Sequence, residues 1–178
     1  MPKLESMGML ASVMASAAAM AILAALAGCA SPSALQPGTP EADVINRFGQ
    51  PAEVYPLSNP PLARRLAYPL GLHYQQTWMV DIDAQGRVLR VEEVISGAHF
   101  AQVRIGQDDT TVVRREFGPP RLIVTFRLQG LTAWMYPYKE DQAWDSEMAI
   151  YFDKAGIVRK LESGPDPRFL GGGDAKRD

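Results

Sequence analysis

The amino-acid sequence contains an internal repeat, and this feature most constrains how the chain can fold. Three motifs recur in the same order at nearly one offset, 68 to 70 residues. The matched segments are 44–51 with 113–120, 68–69 with 136–137, and 83–86 with 153–156. Because three ordered matches at nearly one spacing are hard to obtain by chance, we predict two tandem structural units of the same fold.

Each unit is predicted to begin with a short helix. Val44, Ile45 and Phe48 fall on one helical face. Gly49 can take the left-handed conformation that ends a helix, and Pro51 prevents its continuation. The second unit carries the same stop signal. The predicted helices are about 40–48 and 108–117.

An antiparallel meander is predicted to follow each helix. Apolar residues alternate with others in 77–82 and in 147–152, which is the period of a half-buried strand. Each of these strands runs into Asp-x-x-Gly, which favours a type I turn closing a hairpin. The other predicted strands are about 63–69, 87–95, 131–137 and 156–162, with 52–57 and 120–127 as further candidates. The sequence therefore predicts an α+β fold of two tandem repeats, each a short N-terminal helix packed on an antiparallel β-meander.

An uncharged N-terminal run indicates export. Residues 6–28 carry no charge and end in small residues, which is typical of a cleaved signal peptide. Cys29, the only cysteine, follows directly. The order Leu26-Ala27-Gly28-Cys29 resembles the lipobox of bacterial lipoproteins, which implies cleavage between Gly28 and Cys29 and an acyl chain such as palmitate on Cys29. The alternative interpretation is an uncleaved transmembrane anchor, because the run is long enough to span a bilayer.

The resemblance to a lipobox also implies a location. Ala30 follows the cysteine, whereas an aspartate at that position usually signals retention in the inner membrane. We therefore expect attachment to the outer membrane, with the folded part facing the periplasm. The predicted boundaries are a signal peptide at 1–28, a tether at 29–36, a first repeat at 37–97, a second repeat at 98–164 and a disordered tail at 165–178. At roughly 3.5 Å per residue, the tether would reach about 25 Å.

Charge and residue content argue against several classes of function. The chain has 18 Lys and Arg against 20 Asp and Glu, without a polybasic run, so no nucleic-acid partner is expected. Neither His73 nor His99 lies in a metal-spaced cluster. Asp81 and Asp83 share a strand face that the alternation predicts to be solvated. Since no nucleophile or phosphate-loop motif is present either, we predict no enzyme activity, no metal and no cofactor.

A cluster of aromatic residues is the main candidate for binding a partner. Trp134 and Tyr136 share a strand face and are predicted to lie in the core. Tyr138 and Trp144 flank a polar loop and are predicted to be partly exposed, and both residue types are favoured in interfaces. Two arginines in the proline-rich loop 56–65 are a second candidate. The predicted partner-binding residues are Tyr138, Trp144, Arg64 and Arg65.

The second unit carries a recognisable series of motifs. A helix that ends in Phe-Gly-x-Pro is followed by Trp-x-Tyr and then by Asp-x-x-Gly-x-Val. The residues concerned are Gly106, Phe117-Gly118-Pro119-Pro120, Trp134-Met135-Tyr136, Phe152-Asp153, Gly156 and Val158. This series resembles the BamE family of small lipoproteins, also called SmpA/OmlA, which usually has one such unit. The first unit departs from the series because it has Leu66-Ala67-Tyr68 in place of Trp-x-Tyr. The tandem arrangement resembles the β-lactamase inhibitor protein fold.

The resemblance implies a non-enzymatic outer-membrane lipoprotein that binds an envelope protein in the periplasm. Because the BamE family belongs to the outer-membrane β-barrel assembly machinery, that complex is the candidate partner, with envelope integrity as the wider role. The alternative is an inhibitor-like or small-ligand-binding lipoprotein that uses the sheet surface of the tandem repeat. Both hypotheses keep the membrane attachment through Cys29.

Overall fold

The computed structural model describes residues 31–170, without the side chain of Leu72. This part of the chain is α+β, as predicted, with two four-stranded antiparallel sheets. Sheet A contains, in order, β1 (Glu53–Pro56), β2 (Arg64–Leu70), β3 (Gln76–Ile82) and β4 (Val88–Glu93). Sheet B contains, in order, β5 (Leu122–Phe126), β6 (Leu131–Glu140), β7 (Trp144–Phe152) and β8 (Val158–Pro165). The α-helices are α1 (Glu41–Phe48), α2 (Gly97–Phe100) and α3 (Thr110–Phe117).

The predicted signal peptide and Cys29 lie outside the described residues. Within residues 31–170, no helix combines the length and the apolar character needed to cross a membrane.

Local signals set the ends of the two longer helices. The Asp109 carboxylate accepts a hydrogen bond from the backbone N–H of Val112 at 2.9 Å, which caps the start of α3. α1 and α3 are followed by Gly49 and Gly118, whose φ angles of 82° and 78° are readily adopted only by glycine. The helices therefore end where the sequence predicted.

The two predicted Asp-x-x-Gly turns close the hairpins β3–β4 and β7–β8. The Gly86 N–H donates to the Asp83 carbonyl at 3.1 Å, and the Gly156 N–H donates to the Asp153 carbonyl at 3.0 Å. Each aspartate side chain also accepts backbone N–H groups within its own turn. This arrangement confirms the turn interpretation of both motifs.

α1 covers one face of sheet A. Val44, in the middle of the helix, is completely buried. The apolar cluster around it contains Leu35, Leu66, Tyr68, Val80, Ile82 and Val88. Burial of an apolar side chain contributes about 1.5–3 kcal/mol, so this contact holds the helix on the sheet.

α3 lies between sheet A and sheet B. Gly118 approaches sheet A so closely that a Cβ atom there would lie 3.2 Å from Thr77 Cγ2. On the other side, the Phe117 ring lies 5.9 Å from the ring of Tyr136 in β6, centroid to centroid. One buried cluster joins Ala67 and Met79 of sheet A, Val113 and Phe117 of α3, and Tyr136 and Ile150 of sheet B. The layers follow in the order α1, sheet A, α3, sheet B.

This order of layers buries a face of sheet A that was predicted to be solvated. Asp81 is buried, and its carboxylate accepts hydrogen bonds from Arg65 at 2.7 and 3.0 Å. The prediction was wrong for Asp81 because alternation along one strand does not reveal a helix that arrives from later in the chain.

The ordered fold extends beyond both predicted boundaries. Pro32 and Leu35 are buried, so the fold begins inside the predicted tether at 29–36. At the other end, Asp166 is fully buried and its N–H donates to the Asp145 carbonyl at 2.9 Å. The predicted disordered tail therefore cannot begin at residue 165. Short apolar and turn-forming segments at chain ends carry too little periodicity to be recognised as packed.

Candidate functional site

The four aromatic residues of the cluster at 134–144 differ in their exposure to solvent. Trp134 and Tyr136 are buried, as predicted. Tyr138 is also buried, and its hydroxyl lies 2.7 Å from Ser163 Oγ. The expectation that Tyr138 is partly exposed was wrong, because β6 continues past it and keeps its ring on the core face. We therefore remove Tyr138 from the candidate contacts.

Trp144 remains a candidate contact. Its side chain is 71% exposed at the start of β7, where its cross-strand partner is Glu140. A tryptophan this exposed adds little to the core and leaves its large surface available to another molecule.

The two predicted arginine contacts lie in β2 rather than in a loop. Arg65 is buried, and it bonds to Asp81 and, at 2.6 Å, to Glu116 of α3. It joins sheet A to α3 and cannot reach a partner. Arg64 is partly exposed and forms an ion pair with Glu41 at the start of α1. Both arginines therefore have structural partners within the fold.

The most exposed apolar strand is β5, at the edge of sheet B. Its five residues, Leu-Ile-Val-Thr-Phe, contain no charge and no proline. Leu122 and Ile123 are exposed, the latter at 49%. Among the described residues, β5 pairs only with β6, so its other side presents unpaired backbone groups. Natural proteins usually protect such an edge with charges, proline or a covering element.

β1 occupies the matching edge of sheet A and is protected. It has four residues and ends in Pro56, which offers no N–H. Glu53 accepts hydrogen bonds from Arg114 of α3 and from the Tyr55 hydroxyl. Val54 is 52% exposed, close to the value for Ile123. The two edges therefore differ in charge and covering, while one exposed apolar side chain is common to both.

The hydrogen bonds around Glu53 shift the pKa values of Glu53, Tyr55 and Arg114. The bond from Arg114 is the largest influence on Glu53 and lowers the pKa of its carboxyl, although burial acts in the opposite direction. Burial raises the pKa of the Tyr55 hydroxyl, and the bond to Glu53 raises it further. The bond to Glu53 also raises the pKa of Arg114. At neutral pH, β1 is therefore tied to α3 by a charged pair.

A groove lies where β1, α3 and β6 meet. It has a volume of about 330 Å³. Its lining residues are Tyr55, Thr110, Thr111, Arg114 and Trp134. The Arg114 guanidinium lies over the Trp134 ring, 5.6 Å from its centroid, and Trp134 is the cross-strand partner of Ile123. Ile123 therefore shares the sheet face of Trp134, which lines the groove.

The two histidines have local structural roles. His99 Nδ1 lies 2.7 Å from Ser96 Oγ, and His99 Nε2 lies 3.1 Å from Glu92 Oε1. Ser96 Oγ also accepts the backbone N–H of His99, so this chain of bonds caps the short helix α2. The ring of His73 packs against Phe169 at 5.1 Å. Over residues 31–170, no three His, Cys, Asp or Glu side chains form a group that could hold a metal ion.

Comparison with known proteins gives little further guidance. No protein-family model matches this chain, and no curated protein matches it. A solved structure of a DUF4309 family protein (YjgB) from Bacillus subtilis is similar at 13% sequence identity. That match covers 72% of this chain and 79% of the other, with a TM-score of 0.31. A similarity this weak assigns neither a fold nor a function.

The sequence carries one local signal for the exposed strand β5. Residues 122–126 are an uncharged run with high strand propensity, and Arg121 and Arg127 flank it. Its residue pattern predicts only a further candidate strand. Its position at an edge depends on the order of the strands, which periodicity does not reveal.

Proposed function

We propose that this protein is a non-enzymatic lipoprotein, anchored to the outer membrane through Cys29, that binds an extended segment of an envelope protein by adding it to β5. The main-chain groups of β5 would supply the hydrogen bonds, as in other cases of β-strand addition. The observation that carries this proposal is the exposed, uncharged edge of sheet B. The resemblance to the BamE family makes the β-barrel assembly complex the candidate partner.

The proposal includes a tandem repeat of one helix-and-meander unit. Each sheet follows a helix of eight residues, and the two helices begin 69 residues apart, at Glu41 and Thr110. β1 and β5 begin at the same separation, at Glu53 and Leu122. These equal offsets support an arrangement in which β5 is the counterpart of β1 without its charged protection.

The chemistry around β5 describes the segment it would accept. A residue opposite Ile123 would face the groove, where Tyr55 and Trp134 favour an apolar or aromatic side chain. Arg127, at the end of the strand, is exposed and forms no ion pair with a described residue, so an acidic residue near that end of the segment would be favoured. We expect a short apolar strand with acidic flanks.

The position of the fold supports an anchored module. Pro32, already packed in the fold, lies three residues after Cys29. Three residues span at most about 10 Å, which is less than the reach predicted for the tether. A lipid on Cys29 would therefore hold the folded part of the chain close to the membrane surface.

The strand-addition proposal is tested by a matched pair of variants. Ile123→Lys places a charge on β5, whereas Val54→Lys places the same charge at the corresponding position of β1. Tagged lipoprotein would be recovered from detergent-solubilised envelopes and its partners identified by mass spectrometry. Ile123→Lys should reduce partner recovery about tenfold, equivalent to about 1.4 kcal/mol, and Val54→Lys should leave it unchanged. Equal losses in both variants, or recovery of only a second copy of this chain, would contradict the proposal.

The anchor is tested separately. Cys29→Ala should abolish labelling with a palmitate analogue and release the protein from outer-membrane fractions, while Ser33→Ala should change neither. A Cys29→Ala protein that still fractionates with the outer membrane would rule out the lipid anchor and favour the uncleaved segment.

A further inference from the structure

Two leucines are exposed at the tips of loops. Leu62 is 82% exposed in the loop between β1 and β2, and Leu128 is completely exposed in the loop between β5 and β6. Single exposed apolar residues are common on protein surfaces. Two exposed leucines in corresponding loops of the two sheets can form one apolar contact surface if both loops lie at the same end of the molecule.

Strand pairing places each loop beside a hairpin turn. In sheet A, Arg64 pairs with Ile82, so the loop at 57–63 lies next to the turn at 83–87. In sheet B, Thr132 pairs with Phe152, so the loop at 127–130 lies next to the turn at 153–156. We call these four segments the hairpin end.

α3 shows that both sheets point their hairpin ends the same way. Its first residue, Thr110, donates its N–H to Gly156 in the β7–β8 turn at 3.0 Å, and Thr110 and Tyr55 line the same groove. Gly118, which follows its last residue, lies against Thr77 at the start of β3 and accepts a hydrogen bond from Tyr136 at 3.1 Å. The helix therefore runs away from the turns along both sheets.

The loops and turns of the hairpin end carry three exposed basic side chains. Arg87, Arg127 and Lys154 are exposed, and none of them forms an ion pair with a described residue. The acidic residues of the two turns are already engaged: Asp153 pairs with Arg159, and Asp83 accepts backbone N–H groups. Basic side chains near a bilayer of anionic lipid are attracted to it.

We propose that the hairpin end lies on an anionic phospholipid bilayer, with Leu62 and Leu128 inserted at the boundary between headgroups and acyl chains. The exposed leucines and the basic side chains both lie at this end. Proteins bind such surfaces by combining buried apolar area with attraction to anionic lipid. The bilayer contact does not require strand addition at β5, and Arg127 is the one residue that both proposals use.

Hydrogen exchange measured by mass spectrometry tests this contact. The full protein, purified from membranes with its native anchor, would be reconstituted into vesicles of phosphatidylethanolamine and phosphatidylglycerol and compared with the same protein in neutral detergent. Amides of 57–63 and 127–130 should exchange about tenfold more slowly in vesicles. Those of 141–143, the turn between β6 and β7 at the other end of sheet B, should not change.

Variants make the result specific. Leu62→Gln combined with Leu128→Gln should remove the protection, whereas Leu89→Gln, on an exposed part of β4, should keep it. Ile123→Lys should also keep it, so failure of the strand-addition proposal would be seen separately. Protection of 141–143 instead of the two loops, or no protection of the loops, would overturn the proposed orientation.

Discussion

The edge strands β1 and β5 each pair with only one described strand, yet only β1 is closed by a side-chain contact with the next layer of the fold. Val54 and Ile123 have nearly the same exposure, 52% and 49%. β1 is closed because α3 supplies Arg114 to Glu53 and because Pro56 removes a backbone donor. No described element supplies such a partner to β5. The difference shows that the next layer of the fold, and not the strand position, decides how an edge strand is protected.

The largest loss of stability is expected when the Arg65 side chain, which joins sheet A to α3, is removed. Arg65 lies opposite Tyr55 on the neighbouring strand and joins Asp81 to Glu116 of α3. Arg65→Ala would leave the buried Asp81 carboxylate only its longer contact with Arg90 at 3.4 Å, and the free energy of unfolding should fall by about 3 kcal/mol. Chemical denaturation measures this loss. Arg64→Ala is the control and should cost less than about 1 kcal/mol. A loss of similar size in both variants would show that the Arg65 network is not buried.

A smaller effect is expected from the ion pair that closes β1. Because Arg114 lowers the pKa of Glu53 below its ordinary value of 4.5, the carboxylate stabilises the fold above that pH and loses this contribution as the pH falls through the lowered pKa. The pair is partly exposed, so the contribution at pH 7 is about 0.5–1 kcal/mol. Glu53→Gln should therefore be less stable than the wild type at pH 7, and the difference should shrink below about pH 4. A constant difference at every pH would indicate that the pair does not close β1.

The smallest effect on stability is expected at Trp144. Its side chain is largely exposed at the far end of sheet B, so Trp144→Ala should change the free energy of unfolding by less than about 0.5 kcal/mol. Partner recovery in the same variant shows whether the binding surface extends from β5 to this residue. A melting temperature that falls by several degrees would mean that Trp144 packs within the fold.

Much of the local structure could be predicted from short motifs. Phe48-Gly49 and Phe117-Gly118 located two helix ends, and the Asp-x-x-Gly turns located two hairpins, because each signal acts within a few residues. The burial of Trp134 followed from alternation along one strand.

The errors in predicted burial share a physical cause. Arg65, Asp81 and Tyr138 are buried by elements distant in the sequence, and local periodicity does not contain that information. The same limit hid the importance of Ile123, because an edge strand is defined by the neighbours it lacks. The candidate site therefore became visible only with the order of the strands.

Photo-crosslinking in cells tests the central claim most directly. A photoreactive phenylalanine derivative would replace Ile123 in one strain and Val54 in another, and adducts would be identified by mass spectrometry. We expect position 123 to crosslink to an extended segment of an envelope protein and position 54 to give no such adduct. Adducts from position 54 with none from position 123 would contradict the assignment of β5 as the open edge.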